Sequence, residues 1–243
     1  MSSKQIALVT GANKGLGFET SRQLAQKGIK VLMSARNEAK GKIAAKRLQN
    51  EGLDVKFILL DVTNSEHIKR VRKYIEKHFG KLDILVNNAG MVSPEEPLVS
   101  NSVEIISSKA LRQTFDVNFF GAVELTHALL SLIKKSNAGR IVNVSSILGS
   151  LAYQSEESND FKPFAYDASK TALNQFTIHL AAALKNTPIK VNSAHPGWVK
   201  TDMGGPDAPM DVTEGAKTAV RLATLGPKGP TGKFFHFDEE MPW

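Results

Sequence analysis

Short runs that are apolar on both faces recur between helical patterns along nearly the whole chain of 243 residues. Read as strands, they are Gln5–Thr10, Ile29–Ser34, Val55–Leu60, Leu82–Val86, Arg140–Val144 and Ile189–Ala194, with Gly232–His236 as a seventh. The helical patterns between them cover Gly15–Lys27, a stretch capped by Asn37 that runs to Glu51, Asn64–Phe79, Ser107–Lys135 with a break near Asn118, and Phe164–Lys185. A strand with no polar face is one that helices cover on both sides. Strand–helix–strand units close with right-handed crossovers. The expected fold is α/β: a single domain over residues 1–243, with a doubly wound parallel sheet of about seven strands and helices on both faces. Three polar stretches, Ser93–Asn101, Ser150–Lys162 and Gly204–Pro209, read as loops that follow strands. Ligands of open α/β sheets bind beyond the strands' carboxyl ends, so these loops are candidates for a lid or substrate wall.

Composition removes several classes. The chain has no Cys, which excludes disulfides, thiolate metal sites and Cys nucleophiles. It has no His-rich ligand cluster for a metal and no Gly-x-Ser-x-Gly elbow for a serine hydrolase. No run of about 18 apolar residues marks a membrane span, and the first residues lack a secretion signal, so a cytoplasmic protein without a membrane partner is expected. The net charge of +7 is uneven: residues 1–80 hold 16 Lys and Arg against 7 Asp and Glu, and the remainder hold 15 against 17. Local positive potential of this kind steers anions such as a phosphorylated ligand. Much of it falls on two helical patterns as solvated faces, and no nucleic-acid partner is expected.

The first strand leads into Thr10-Gly11-Ala12-Asn13-Lys14-Gly15-Leu16-Gly17. Glycines at a strand–turn–helix junction let the backbone approach a pyrophosphate, whose charge the helix N-terminus stabilises. The spacing is Gly-x3-Gly-x-Gly, distinct from the common dinucleotide fingerprint and from a phosphate-binding loop ending in Gly-Lys-Ser/Thr. About 20 residues further on, an acid would hold a ribose 2′-hydroxyl. This chain has Ser34-Ala35-Arg36 there, and Arg36 with Lys14 can pair with a 2′-phosphate instead. The cofactor expected is NADP(H). Asp61, ending the third strand, can accept an adenine amino hydrogen or cap the next helix, and Val62 stands beside it.

With Asn87-Asn88-Ala89-Gly90, Ser145-Ser146 and Tyr166-x3-Lys170 added, the chain resembles the short-chain dehydrogenase/reductase superfamily, with every motif in family order from about residue 5 to 237. It looks closest to the NADPH-dependent carbonyl reductases, through its glycine turn, Ser34-Ala35-Arg36 and His195-Pro196-Gly197-Trp198-Val199-Lys200-Thr201-Asp202-Met203. The resemblance implies a Rossmann-type fold. It implies that Gly11, Asn13, Lys14, Gly15, Leu16 and Gly17 hold the pyrophosphate side, that Asn88, Ala89 and Gly90 flank the adenosine ribose, and that Pro196, Gly197, Val199 and Thr201 wrap the nicotinamide. Asn118 falls at the family's catalytic Asn, and alignment favours Ser146 over Ser145. One departure is length: Ser146 to Tyr166 is 20 residues, longer than is usual in the superfamily. That insertion falls where many relatives pair helices, so a monomer is plausible and a dimer possible.

Hydride transfer to a carbonyl leaves an alkoxide that needs a proton from an adjacent weak acid. A free Tyr is too weak, and a nearby cation lowers its pKa. Tyr166 and Lys170, four apart, share one helix face, so Lys170 is expected to depress the Tyr166 pKa and to bond the nicotinamide ribose. Ser146 would donate to the substrate carbonyl, and Asn118 would open a helical turn and seat a water linked to Lys170. Ile147, Leu148, Tyr153 and Trp198 are candidate walls of an apolar substrate pocket, whereas His195 reads as structural. The expected reaction is NADPH-dependent reduction of a ketone, aldehyde or quinone. The alternatives are an alcohol or hydroxysteroid dehydrogenase running oxidatively, and a protein that binds NADP(H) without turnover.

Overall fold

The computed structural model describes residues 4–96, 103–156 and 161–243. Parts of two expected loops, 97–101 and 157–160, lie outside these. The strands are β1 (Ile6–Val9), β2 (Lys30–Ala35), β3 (Val55–Leu59), β4 (Ile84–Asn87), β5 (Arg140–Val144), β6 (Lys190–Ala194), β7 (Lys233–His236) and β8 (Glu239–Glu240). They form one sheet in the order β3-β2-β1-β4-β5-β6-β7-β8. All pairs are parallel except β7 with β8, which pair antiparallel. The seven expected strands are therefore present, and a two-residue edge strand is added.

The helices are α1 (Gly15–Gln26), α2 (Glu38–Asn50), α3 (Ser65–Phe79), α4 (Ser108–Phe115), α5 (Gly121–Ile133), α6 (Leu151–Gln154), α7 (Phe164–Ala183) and α8 (Val212–Ala223). Alternate residues of the central strands divide between two cores. Val9, Val31, Met33 and Val86 pack with Phe18, Leu24, Leu48 and Val220 on one face. Leu8, Leu32 and Leu85 pack with Ile75, Leu125, Leu129 and Leu180 on the other. This is why the strands carry no polar side.

Three expectations need correction. The Ser107–Lys135 pattern does not break at Asn118. Helix α4 passes into α5 through a π turn, Asp116–Phe120, which absorbs an extra residue without ending the helix. Such turns often mark functional sites. The Ser150–Lys162 stretch is not all loop, because Ser150 caps the short helix α6 through its own side chain. Helix α8 lies where no helix was expected. Its buried face mixes the small residues Gly215, Ala216, Ala219 and Ala223 with Val220 and Leu222, and a side chain at Gly215 would strike Val199 and Leu16, so the small residues let α8 lie close on α1.

The order reverses between β1 and β4, where the chain switches from one half of the sheet to the other. The crevice there is bounded by Leu16, Thr20, Asn88, Val144, Ala194, Pro196, Gly215 and Ala219, the position where doubly wound sheets bind ligands.

Candidate active site

The glycine turn is a cradle closed from below by side chains of other strands. Gly11 and Gly15 have φ of 64° and 55°, which only glycine adopts readily. Gly17 has no room for a side chain, since a Cβ there would land on Asn88 Nδ2 and within 2.5 Å of the Gly11 carbonyl oxygen. Asn88 Nδ2 in turn donates to the Thr10 carbonyl at 2.8 Å. The Thr10 hydroxyl accepts the backbone N–H groups of Asn88 and Ala89, both at 2.9 Å. Thr10 was not singled out from the sequence, although a hydroxyl ending a buried strand beside a glycine turn is a readable signal. The N-cap of α1, Lys14, offers no side-chain acceptor, so that helix leaves its first N–H groups free for an anion.

The two basic residues expected at a 2′-phosphate differ in state. Arg36 is exposed and makes no ion pair among the described residues, which leaves its guanidinium free for a phosphate. Lys14 instead forms an exposed ion pair with the Asp202 carboxylate, on the segment that carries Thr201. That pair spans the mouth of the cradle, so an anion reaching Lys14 competes with Asp202. Asp61 does not cap α3. Asn64 takes that role, accepting from Glu66 and His67, while Asp61 Oδ1 accepts from the Thr63 N–H and hydroxyl. Val62 is buried against Gly121 at the start of α5.

The residues beyond β5 converge with α7 and the π turn. Ser146 Oγ accepts from the Leu148 N–H at 3.2 Å and hydrogen-bonds Tyr166. Ser145, by contrast, turns toward the Lys170 carbonyl oxygen. Lys170 is 4% exposed; its Nζ donates to the Val144 carbonyl at 2.8 Å and stands 5.6 Å from the Tyr166 ring centroid. Asn118, 1% exposed, spends its amide on neighbours. Oδ1 accepts from the Met91 N–H at 2.8 Å, and Nδ2 donates to the Met91 carbonyl at 2.9 Å and to Ser169 Oγ at 3.0 Å. A Cβ built on Gly90 would stand 3.5 Å from both Asn118 Oδ1 and Lys170 Nζ. Gly90 therefore keeps a small polar space open between these two groups.

The electrostatics correct one expectation. Lys170 does not bring Tyr166 down. Burial pushes the phenol up to about 12, and the hydrogen bond from Ser146 only partly opposes it. Burial likewise brings the Lys170 ammonium down to about 8. The reason is that desolvation penalises the charged form of both groups.

His195 is structural in its contacts: Nδ1 accepts the Ile147 N–H at 3.2 Å, and burial, with the neighbouring His236, brings its pKa down to about 3. Of the proposed substrate walls, Ile147, Leu148 and Tyr153 are half-buried. Trp198 is 58% exposed, with its indole N–H bonded to the Gly204 carbonyl at 2.7 Å. Leu151, Phe164 and Met203 are also exposed apolar residues on segments that follow β5 and β6. Pro196 lines the crevice, Gly197 is packed under Met210 with φ of 85°, Val199 is buried, and Thr201 Oγ1 accepts the Gly204 N–H at 3.1 Å.

Below this site runs a buried polar ladder not foreseen from the sequence. Asn87 Nδ2 donates to Thr126 Oγ1 and Asn143 Oδ1, Asn143 Nδ2 donates to Thr177 Oγ1, and Thr177 meets Ser193 at 2.9 Å. It ties β4, β5 and β6 to α5 and α7, and so fixes the strand ends that carry Asn88 and Ser145-Ser146.

This fold and motif set define a dinucleotide-dependent oxidoreductase of the doubly wound class. A family model, short chain dehydrogenase, matches residues 5–211, and the chain belongs to that family. It is similar to the NADPH carbonyl reductase 1 of Mus musculus, 34% identical with all of this chain and 99% of that protein covered. Among solved structures it is similar to the carbonyl reductase Sniffer of D. melanogaster, with a TM-score of 0.86, 29% identity and 99% of each chain covered. Salutaridine reductase from Papaver somniferum matches with a TM-score of 0.83 and 31% identity, covering 97% of this chain and 100% of that one.

Proposed function

We propose that this protein uses NADPH to reduce the carbonyl group of a small apolar ketone, aldehyde or quinone. It is an NADP-dependent short-chain dehydrogenase/reductase, and NADPH, when bound, supplies the hydride. Its residues fit that cofactor: a glycine cradle that a side chain would fill, an uncapped helix N-terminus, and an unpaired Arg36 with no acid in its place. The observation that carries the reading is the meeting of Ser146, Tyr166, Lys170 and Asn118 at the carboxyl end of the sheet, beside that cradle.

Ser146 holds the carbonyl oxygen against the Tyr166 hydroxyl. Tyr166, its phenol held well above neutrality, is in its proton-donating form at pH 7. An alkoxide is a far stronger base than a phenolate, so transfer from Tyr166 to the forming alkoxide runs downhill. Oxidation of an alcohol would run the same proton transfer in reverse, with Tyr166 as the base, so relative rates on ketone and alcohol panels decide the working direction. Lys170 would hold the cofactor ribose and, with Asn118, flanks the polar space at Gly90, through which a replacement proton would reach Tyr166. The exposed apolar residues Leu151, Trp198 and Met203 fit an apolar substrate.

The test mixes the protein and NADPH with a quinone, an aromatic aldehyde and a bulky ketone while cofactor oxidation is followed. Turnover should prefer NADPH over NADH, and Tyr166→Phe should lose at least about a hundredfold in kcat with NADPH still bound. Full turnover by Tyr166→Phe would refute the assignment. Tight NADPH binding without turnover on the whole panel would favour a binding protein instead.

A further inference from the structure

Helix α7 carries both Tyr166 and Lys170, and it starts at a residue that cannot cap it. Its N-cap, Pro163, has no side-chain acceptor. Helices α2, α3, α4 and α8 each take a cap from the side chain of their own N-cap residue, Asn37, Asn64, Ser107 and Asp211. In α7 the free N–H groups of the second and third helical residues, Ala165 and Tyr166, sit at a buried helix end. Left unpaired, each would carry the penalty of a desolvated donor.

One carboxylate takes both. Glu96 Oε1 accepts the Ala165 N–H at 2.6 Å, and Oε2 accepts the Tyr166 N–H at 3.2 Å. Glu96 is 2% exposed and lies on the segment after β4, 70 positions before Tyr166. A buried carboxylate is tolerated only where it is well paired. Here it meets two backbone donors and the positive end of a 20-residue helix. The same segment is gripped at its other end, because Asn118 holds both the N–H and the carbonyl of Met91. Residues 91–96 are thus clamped between the π turn and the first turn of α7. The neighbouring Asp167 carboxyl is raised by burial and by the Glu96 charge, with Lys162 opposing.

We propose that Glu96 is a positioning residue for the reaction. Its carboxylate sets the first turn of α7, and with it the place of Tyr166, and makes the segment after β4 move with the proton donor. This rests on the reading of Tyr166 as that donor. Glu96 touches neither substrate nor cofactor in this role; it acts through the helix.

Glu96→Ala and Glu96→Gln test it, with kcat and KM measured on a carbonyl substrate, NADPH affinity by fluorescence, and hydrogen exchange at the Ala165 and Tyr166 amides. Displacing a catalytic group by about 1 Å costs on the order of a hundredfold in rate. Glu96→Ala should therefore lose about 10- to 100-fold in kcat, with NADPH affinity changed by less than about twofold and faster exchange at both amides. Glu96→Gln keeps one side-chain oxygen as acceptor and should restore part of kcat. If Glu96→Ala fails to fold, Glu96→Gln alone still reads out as a lowered kcat at unchanged NADPH affinity. Wild-type kcat in Glu96→Gln and Glu96→Ala, alongside an inactive Tyr166→Phe, overturns the role of Glu96 only. So does loss of NADPH binding in step with kcat, which marks general damage. Turnover that survives Tyr166→Phe overturns the underlying reading of the site, whatever Glu96 does.

Discussion

Gly17→Ala is the sharpest perturbation of the cradle, because two effects of opposite sign meet at one atom. Gly17 lies in the first turn of α1, where alanine is the better helix former by about 1 kcal/mol. Propensity alone thus predicts a more stable protein. The structure predicts the reverse. The new Cβ would collide with Asn88 Nδ2 and stand 2.5 Å from the Gly11 carbonyl oxygen and 3.0 Å from Ala12 Cα. Two of these neighbours are backbone and cannot swing away. Overpacking of this kind costs about 1–3 kcal/mol. Displacing Asn88 also breaks its bond to the Thr10 carbonyl, for about 1–2 kcal/mol more. The net loss is about 1–4 kcal/mol, or a fall in Tm of roughly 2–16 °C for a chain this size. If, as proposed, the displaced atoms form the pyrophosphate floor, NADPH affinity should weaken by more than about tenfold, or ~1.4 kcal/mol. Thermal unfolding and fluorescence titration with NADPH measure both. Gly28→Ala is the control: its φ of 82° strains any side chain, but nothing lies within 4 Å, so Tm should fall with NADPH affinity unchanged. A Gly17→Ala variant with raised Tm and wild-type affinity would refute the argument.

Arg36→Asp should shift the ratio of kcat/KM for NADPH over NADH by at least about tenfold toward NADH, since the guanidinium is exchanged for a 2′-hydroxyl acceptor; an unchanged ratio would place the 2′-phosphate elsewhere. Asn143→Ala opens the polar ladder under the site and leaves Thr177 and Asn87 short of partners, so urea unfolding should show a loss of about 2–4 kcal/mol. Asp167 governs a stretch of the pH–stability curve. Burial, and then the Glu96 charge, raise its carboxyl to about 8 from an ordinary value near 3.9, with Lys162 opposing. The native state keeps a proton that the unfolded chain releases, so this contribution is full below about pH 4 and drains away as pH rises to about 8. Asp167→Asn should flatten that slope in thermal melts across the same range; an unaltered slope would show that Asp167 is ionised in the fold.

What was legible in the sequence follows from which forces act locally. The strands announced themselves because helices cover both faces, so apolar residues fall on both sides of them, notably in β1, β2 and β4. The glycine turn was legible because backbone geometry and steric exclusion leave no other residue at Gly11 or Gly17. Asn37 read as a cap because a cap bonds within its own turn, whereas the cap of α3 was read three residues early, at Asp61 rather than Asn64. Asp211 and Glu214 carried the same signal for α8, and its apolar period, with Val220 and Leu222 on the buried face, was legible too.

Chain order and residue type thus determined the α/β class, the family, the cofactor cradle and the residues that meet at Tyr166. Tertiary structure alone decided the rest. It turned an expected helix break at Asn118 into a π turn gripping Met91. It engaged Lys14 with Asp202, 188 positions away. It set the Tyr166 phenol high rather than low, because burial outweighs the hydrogen bond from Ser146. It brought Glu96 to the start of α7. Each of these depends on distances between groups far apart in sequence, and on how much water remains around them. No local pattern encodes either quantity; only the packed sheet and its helices set them.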